Sequence, residues 1–282
     1  LNTRKHLRFT GKLGSYGLRC FVSLAIAIIL YAIFIEPNWI EIKSLQLHLS
    51  RLATEFNGYR IVQISDIHRD EWMTPQRLEH IINLVNAQKP NLVVITGDLV
   101  TRNFPQLIPS VGASLSKLHP GDGVLAILGN HDIEGDPEAL VKTLVENGIV
   151  YLDNNVYTIF RGNAMLNIAG VNDVCLGKDR LDLVLQNLPE KGAAILLAHE
   201  PDFADISASV GRFDLQLSGH SHGGQIRLPG FQPPYLPFYA KKYYQGLYQI
   251  RKMLLYTNRG LGMTEIHARF AARPEITVIT LS

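Results

Sequence analysis

Cysteine is nearly absent from this chain, with two in 282 residues. Cys20 opens an apolar run near the N-terminus and Cys175 lies far into the remainder, so neither a disulfide framework nor a CxxC metal site is implied. So few cysteines fix no redox compartment, and either side of a membrane stays open. Acidic residues are missing altogether before residue 20, where Arg4, Lys5, Arg8, Lys12 and Arg19 carry five positive charges. Beyond that tail 22 basic residues face 25 acidic ones, a balance of −3, so the net charge of +2 comes from the tail. No basic stripe is left over for nucleic acid, and none is expected as a partner. Repeats, low-complexity tracts and linkers are also lacking over residues 40–282, which reads as one large domain. With 46% apolar and 18% charged residues, the chain has the material for a sizeable core, and disorder is excluded.

What is present begins with residues 20–35, CFVSLAIAIILYAIFI, a charge-free run of 16 residues closed by Glu36-Pro37. As a helix it covers about 24 Å, somewhat short of a ~30 Å hydrocarbon core. An uncleaved anchor, a cleaved signal peptide and a buried helix compete for it. The basic stretch before the run argues against a core helix, and no small residues stand at cleavage spacing after it. The chain therefore divides into a basic tail (1–19), a transmembrane anchor (20–36) and a domain (45–282). The positive-inside rule puts the tail in the cytoplasm and the domain of this single-pass protein on the far side. Thr3 to Arg8, TRKHLR, also looks like a degraded twin-arginine export signal.

Strands and helices alternate through the domain. Residues 45–49 and 60–65 read as strands, and 75–87 as a helix with Thr74 as N-cap and Pro75 at its first position. Residues 92–96 form a strand, 106–118 a helix, 124–128 a strand, and 137–147 a helix stopped by Gly148. Strands at 156–160 and 166–171, a helix near 180–187, strands at 194–198 and 214–218, and β segments at 246–256 and 275–281 complete the pattern. Near-continuous apolar runs such as NLVVIT and AAILLA suit strands covered on both faces.

Polar blocks follow five of these runs: Asp66-Ile67-His68, Gly97-Asp98, Gly129-Asn130-His131-Asp132, His199-Glu200 and Gly219-His220-Ser221-His222. Asp66 and His68 point to one side if the backbone stays extended. Asp98 has two oxygens and can bridge two cations. Asn130 offers a neutral oxygen, His131 a side chain free to face substrate, and Asp132 a carboxylate that can orient it. His220 and His222 stand two apart in a glycine-rich loop that leaves room around them. Singly, Asp66 also caps a turn, Gly97-Asp98 is a common turn, Asn130 tolerates a left-handed bend, and a lone His199 is structural. Together they supply donors for two metal ions. A mixed oxygen and imidazole set without cysteine suits Mn²⁺, Fe or Zn²⁺ rather than Mg²⁺ or Ca²⁺.

The order D-x-H, GD, GNH, H and GHxH over residues 59–225 resembles the calcineurin-like metallophosphoesterases. The resemblance implies a four-layer α/β/β/α sandwich with the metals at the strand ends. One metal would be held by Asp66, His68, bridging Asp98 and His222, the other by Asp98, Asn130, His199 and His220. Two cations would grip phosphate oxygens and acidify a bridging water to the attacking hydroxide, while His131 stabilises charge on phosphate or protonates the leaving group. The usual GDxx(D/N) continuation here reads Gly97-Asp98-Leu99-Val100-Thr101, without the acid. Asp132 is expected to orient His131 in its place. A non-catalytic scaffold of the same fold would have lost ligands, and none is lost.

The stretch HGGQIRLPG, the later Asn258-Arg259-Gly260-Leu261-Gly262 and the leader EPNWIEI look like a membrane-anchored subgroup that includes UDP-2,3-diacylglucosamine hydrolases of lipid A synthesis and cell-wall-linked phosphodiesterases. Arg259 is a candidate phosphate clamp. Residues 229–244, PGFQPPYLPFYAKKYY, form either a packed loop or a lid that receives acyl chains, with Lys241 and Lys242 meeting anionic head groups. A lipid-linked phosphorylated substrate is therefore expected. A UDP-linked intermediate would call for the cytoplasmic face, a cell-wall substrate for the other.

Overall fold

The computed structural model describes residues 3–282; residues 1 and 2 and the side chains before Tyr16, with the basic Arg4, Lys5, Arg8 and Lys12, lie outside the described residues. Helix α1 (Thr3–Leu30) runs on through a π-helical turn (Tyr31–Ile35) and a short 3-10 turn (Glu36–Asn38). Backbone that was expected as a separate tail before residue 20 is thus part of the same helix. The 23 residues Tyr16–Asn38 are long and apolar enough to cross a membrane, and almost none of that span is buried. A core helix would be covered, so that reading falls.

Two six-stranded sheets follow. The first has the order β1 (Glu41–Leu47), β12 (Glu275–Leu281), β2 (Arg60–Ile64), β3 (Leu92–Thr96), β4 (Val124–Ile127), β5 (Ile149–Tyr151). The second has the order β10 (Gly246–Ile250), β11 (Met253–Thr257), β9 (Leu215–Ser218), β8 (Ala193–Leu197), β7 (Ala164–Gly170), β6 (Asn155–Arg161). Strands β2 to β5 run parallel, as do β7, β8, β9 and β11.

Strand alternation sorts side chains into three cores. In β3, Val93 and Ile95 face Leu78 and Val85 of α2 (Pro75–Ala87), Val111 of α3 (Ile108–Leu115) and Leu144 of α5 (Pro137–Glu146). Its Leu92 and Val94 face the other sheet, where they meet Ile195, Leu197 and Leu217. Beyond that second sheet, Leu196 and Ala194 pack on Val184 of α6 (Leu181–Asn187) and Ala208 of α7 (Ala204–Val210). This is the four-layer sandwich, and it explains the unbroken apolar runs: both faces of each central strand are covered. Thr74 caps α2 by accepting from the Arg77 amide, as its sequence position predicts. Short elements outside the expected set include β5, α7, the one-turn α4 (Asn130–Glu134) and 3-10 turns such as Thr54–Phe56 and Pro201–Phe203.

Candidate metal centre

Five strands end at one place. β2 delivers Asp66 and His68, β3 Asp98, β4 Asn130 and His131, β8 His199, and β9 His220 and His222. The sheets are stitched together there: Gln63 donates to the Ser218 carbonyl at 3.0 Å, and the Asp66 carboxylate accepts the His220 amide at 3.0 Å. Ligand atoms of Asp66, His68 and His222 lie within 4.8 Å of one another, and so do those of Asp98, His199 and His220. Asp98 Oδ2 stands 3.4 Å from His68 Nε2 and 3.2 Å from His199 Nε2, between the two groups.

The backbone reaching these positions is not extended. Asp66, His68, Asp98, His220 and His222 all have φ between 45° and 69°. Asp66 and His68 therefore converge through two left-handed residues, not through the pleat. Such conformations cost on the order of 1–3 kcal/mol each for non-glycine residues and gather where function holds them. Gly129 shows how closely the loops approach: a Cβ there would stand 2.7 Å from His199 Nε2 and 2.8 Å from the Asp98 amide.

Hydrogen bonds on the far side of the rings set the tautomers. His199 Nδ1–H donates to the Thr96 carbonyl at 2.7 Å, and His220 Nε2–H donates to the Phe238 carbonyl at 2.9 Å. That leaves His199 Nε2 and His220 Nδ1 as lone pairs facing each other at 3.2 Å. His68 Nε2 and His222 Nε2 meet similarly at 3.1 Å, and Asn130 Oδ1 is buried without a hydrogen-bond partner. Converging lone pairs in a buried site need a cation, so the residues fit two divalent ions. The electrostatics agree at three of the four imidazoles. At His199 burial opposes the charged form, but Asp98 wins and holds the pKa well above the usual range, so a cation at Nε2 would take the place of a proton. Burial, with the neighbouring imidazole His199 adding to it, holds His220 neutral with a pKa pushed down to about 3. Burial likewise pushes His68 down to about 3 and His222 well below the usual range. Burial and the nearby Asp98 push Asp66 up to about 7, although the His199 charge opposes them. Burial opposes ionisation at Asp98 too, but His199 and His68 win and hold its pKa well below the usual range.

The other site candidates fall differently. His131 is half-buried, its ring edge-on to His68 at 4.7 Å between centroids, and its Nδ1 lacks a partner. Asp132 makes no hydrogen bond to that ring. Its carboxylate accepts the amides of Leu99 at 2.9 Å, Val100 at 3.0 Å and Gly129 at 3.1 Å, tying the Asp98 loop to the Asn130 loop. Arg259 is no free phosphate clamp, because Glu275 takes its Nε at 2.5 Å and Glu41 its Nη2 at 2.7 Å. The surrounding loop is bracing: Leu261 and Gly262 amides donate to Ser65 and Asp66 carbonyls at 3.0 and 2.7 Å. Lys242 pairs with Asp205 at 2.5 Å and Lys241 is exposed. Both lie beyond Phe238, the residue that holds His220.

Arg269 escaped the sequence reading. It is fully buried, donates to the carbonyls of Ala272 at 2.8 Å and Arg259 at 3.0 Å, and points Nη2 at His222 Nδ1 from 3.5 Å. Nothing in ARFAARPE marks an arginine for burial. Glu200 is also buried, accepts the Val174 and Cys175 amides at 3.3 Å, and has its pKa pushed up to about 8 by burial and then by Asp173, against the His199 charge. Its position directly after His199 was the available signal.

The family described as calcineurin-like phosphoesterase matches residues 59–224. An uncharacterized metallophosphoesterase of Bacillus subtilis (strain 168), YkuE, is 39% identical over 89% of this chain and 88% of its own length. The phosphodiesterase YaeI of Escherichia coli (strain K12) is 29% identical over 89% of this chain and 92% of its own. The UDP-2,3-diacylglucosamine pyrophosphatase LpxG of Chlamydia muridarum (strain MoPn / Nigg) is 25% identical over 93% of this chain and 95% of its own.

Proposed function

The chain belongs to the calcineurin-like phosphoesterase family and is a hydrolase of phosphoester bonds; within that class we propose that it cleaves a phosphodiester or pyrophosphate bond on a lipid-linked substrate. The observation that carries the chemistry is the pair of buried lone-pair clusters on either side of Asp98. Asp66, His68, Asp98 and His222 would hold one divalent ion, and Asp98, Asn130, His199 and His220 the other. When bound, two such ions grip phosphate oxygens and acidify a water at neutral pH. Thr96 and Phe238 carbonyls fix the ring orientations beforehand, so no reorganisation is left for the reactive step. His131, half-exposed at the rim, is placed to steady charge on the phosphate or to give a proton to the leaving oxygen.

The lipid-linked substrate is supported by the apolar loop that holds His220, by the N-terminal helix, and by the likeness to LpxG. The five N-terminal cations favour an extracytoplasmic domain and hence the second reading, a cell-wall-associated phosphodiesterase. Hydrolysis of bis(p-nitrophenyl) phosphate is expected to rise with Mn²⁺ and to fall at least a hundredfold in Asp98→Ala and His222→Ala. Unchanged turnover in both variants would overturn the metal assignment. Extending the assay to UDP-diacylglucosamine, nucleotide diesters and phospholipids separates the substrate readings.

A further inference from the structure

The contacts between the N-terminal helix and the domain fall at an unexpected depth. The Arg269 amide donates to the Ala32 carbonyl at 2.9 Å, and the Phe270 ring meets Tyr31 edge-on at 6.2 Å. The Glu36 carboxylate accepts the Ala271 and Ala272 amides at 3.0 and 2.6 Å. Tyr31 and Ala32 belong to the charge-free run 20–35, five and four residues before Glu36. A domain held at those residues has to lie level with the end of the apolar run and cannot hang clear of it.

The surface at that level continues into the Pro/aromatic loop. Ile226 pairs with Phe270 in a parallel bridge, and Arg227 donates to the carbonyls of Phe270 at 3.0 Å and Ala271 at 2.8 Å. Residues 228–240, LPGFQPPYLPFYA, then carry no charge. Leu228, Phe231, Tyr235, Phe238 and Ile266 are 61–75% exposed. So many large apolar side chains exposed within one short, charge-free loop are unusual and mark a contact. Groups suited to lipid head groups accompany these segments: Trp39 at the helix exit with the Arg273 guanidinium stacked 4.1 Å above it, and Lys241, exposed just after the loop.

We infer that the loop 226–238 and Ile266 rest in the interface of the same bilayer that the N-terminal helix crosses, as a second membrane contact beside the helix exit. The inference rests on the reading of that helix as a membrane span. The loop ends at Phe238, whose carbonyl receives the His220 ring, so the proposed lipid contact is tied directly to the metal centre. A substrate phosphate attached to acyl chains would then be met by an enzyme held at the surface that carries it.

The test uses the full chain in vesicles of phosphatidylcholine and phosphatidylglycerol, with its two cysteines replaced by serine. A fluorophore is placed singly by Phe231→Cys, Ile26→Cys or Val145→Cys, with residue 145 exposed on α5. Hydrolysis of the soluble nitrophenyl diester verifies that each variant is folded. The label at 231 is expected to be quenched by shallow lipid-borne spin labels and shielded from aqueous iodide at least threefold relative to 145. A label at 231 that behaves like 145, while 26 remains in lipid, overturns the inference. A label at 26 open to iodide overturns the anchor reading itself.

Discussion

Asp98 and Asp132 are both buried carboxylates in neighbouring loops, yet their neighbours give them opposite work. Asp98 faces His68 and His199 and completes both clusters, whereas Asp132 faces only backbone amides. Asp132→Ala would leave three amides of two site loops unpaired. We expect it to lower unfolding free energy by about 1–3 kcal/mol, read as a lower denaturant midpoint. An unchanged midpoint with lost turnover would return Asp132 to a role on His131. At this scale the ligand types were legible, because donor chemistry is written in residue identity. Partners were not: which acceptor Arg259 or Asp132 meets depends on strands remote in sequence.

Among the elements, α2 and β3 coincide with their expected bounds, since a proline-led N-cap and a run of branched apolar residues are local signals. The first strand does not. It begins at Glu41 rather than 45 because it is fixed by pairing with β12, Glu41 opposite Glu275. β5 has three residues, too few for any periodicity to show. Arg259 links those same strands by reaching both Glu41 and Glu275, and its hydrogen bond, with its charge behind it, holds the Glu41 pKa below its ordinary 4.5 against the opposing effect of burial. A carboxyl depressed in the folded state stabilises above its unfolded pKa and loses that contribution as pH falls through the folded one. Glu41→Gln should therefore melt lower than the parent at pH 7. The gap should close in scans below pH 4.5, and a constant gap would show that packing, not charge, is responsible.

For the whole molecule, the layered architecture was legible because three cores demand strands that are apolar on both faces. The position of the helix against the domain was not, since no pattern in residues 264–272 announces that Glu36 will be received there. The tail charges make a definite prediction of orientation. In sealed inside-out vesicles the domain should resist protease until detergent opens them, and digestion without detergent would place it in the cytoplasm.

β12 lies between β1 and β2, so a strand made late fills a gap between two made early. During synthesis the edge of β2 has to wait, unpaired, for more than two hundred residues to emerge. Residues 258–262, which back Asp66 and His68, arrive just before that strand. Assembly of the centre is therefore tied in time to the emergence of β12. A ribosome-stalled intermediate lacking residues 275–281 would have every ligand in its sequence but an open sheet edge beside them, exposed to aggregation or to a chaperone.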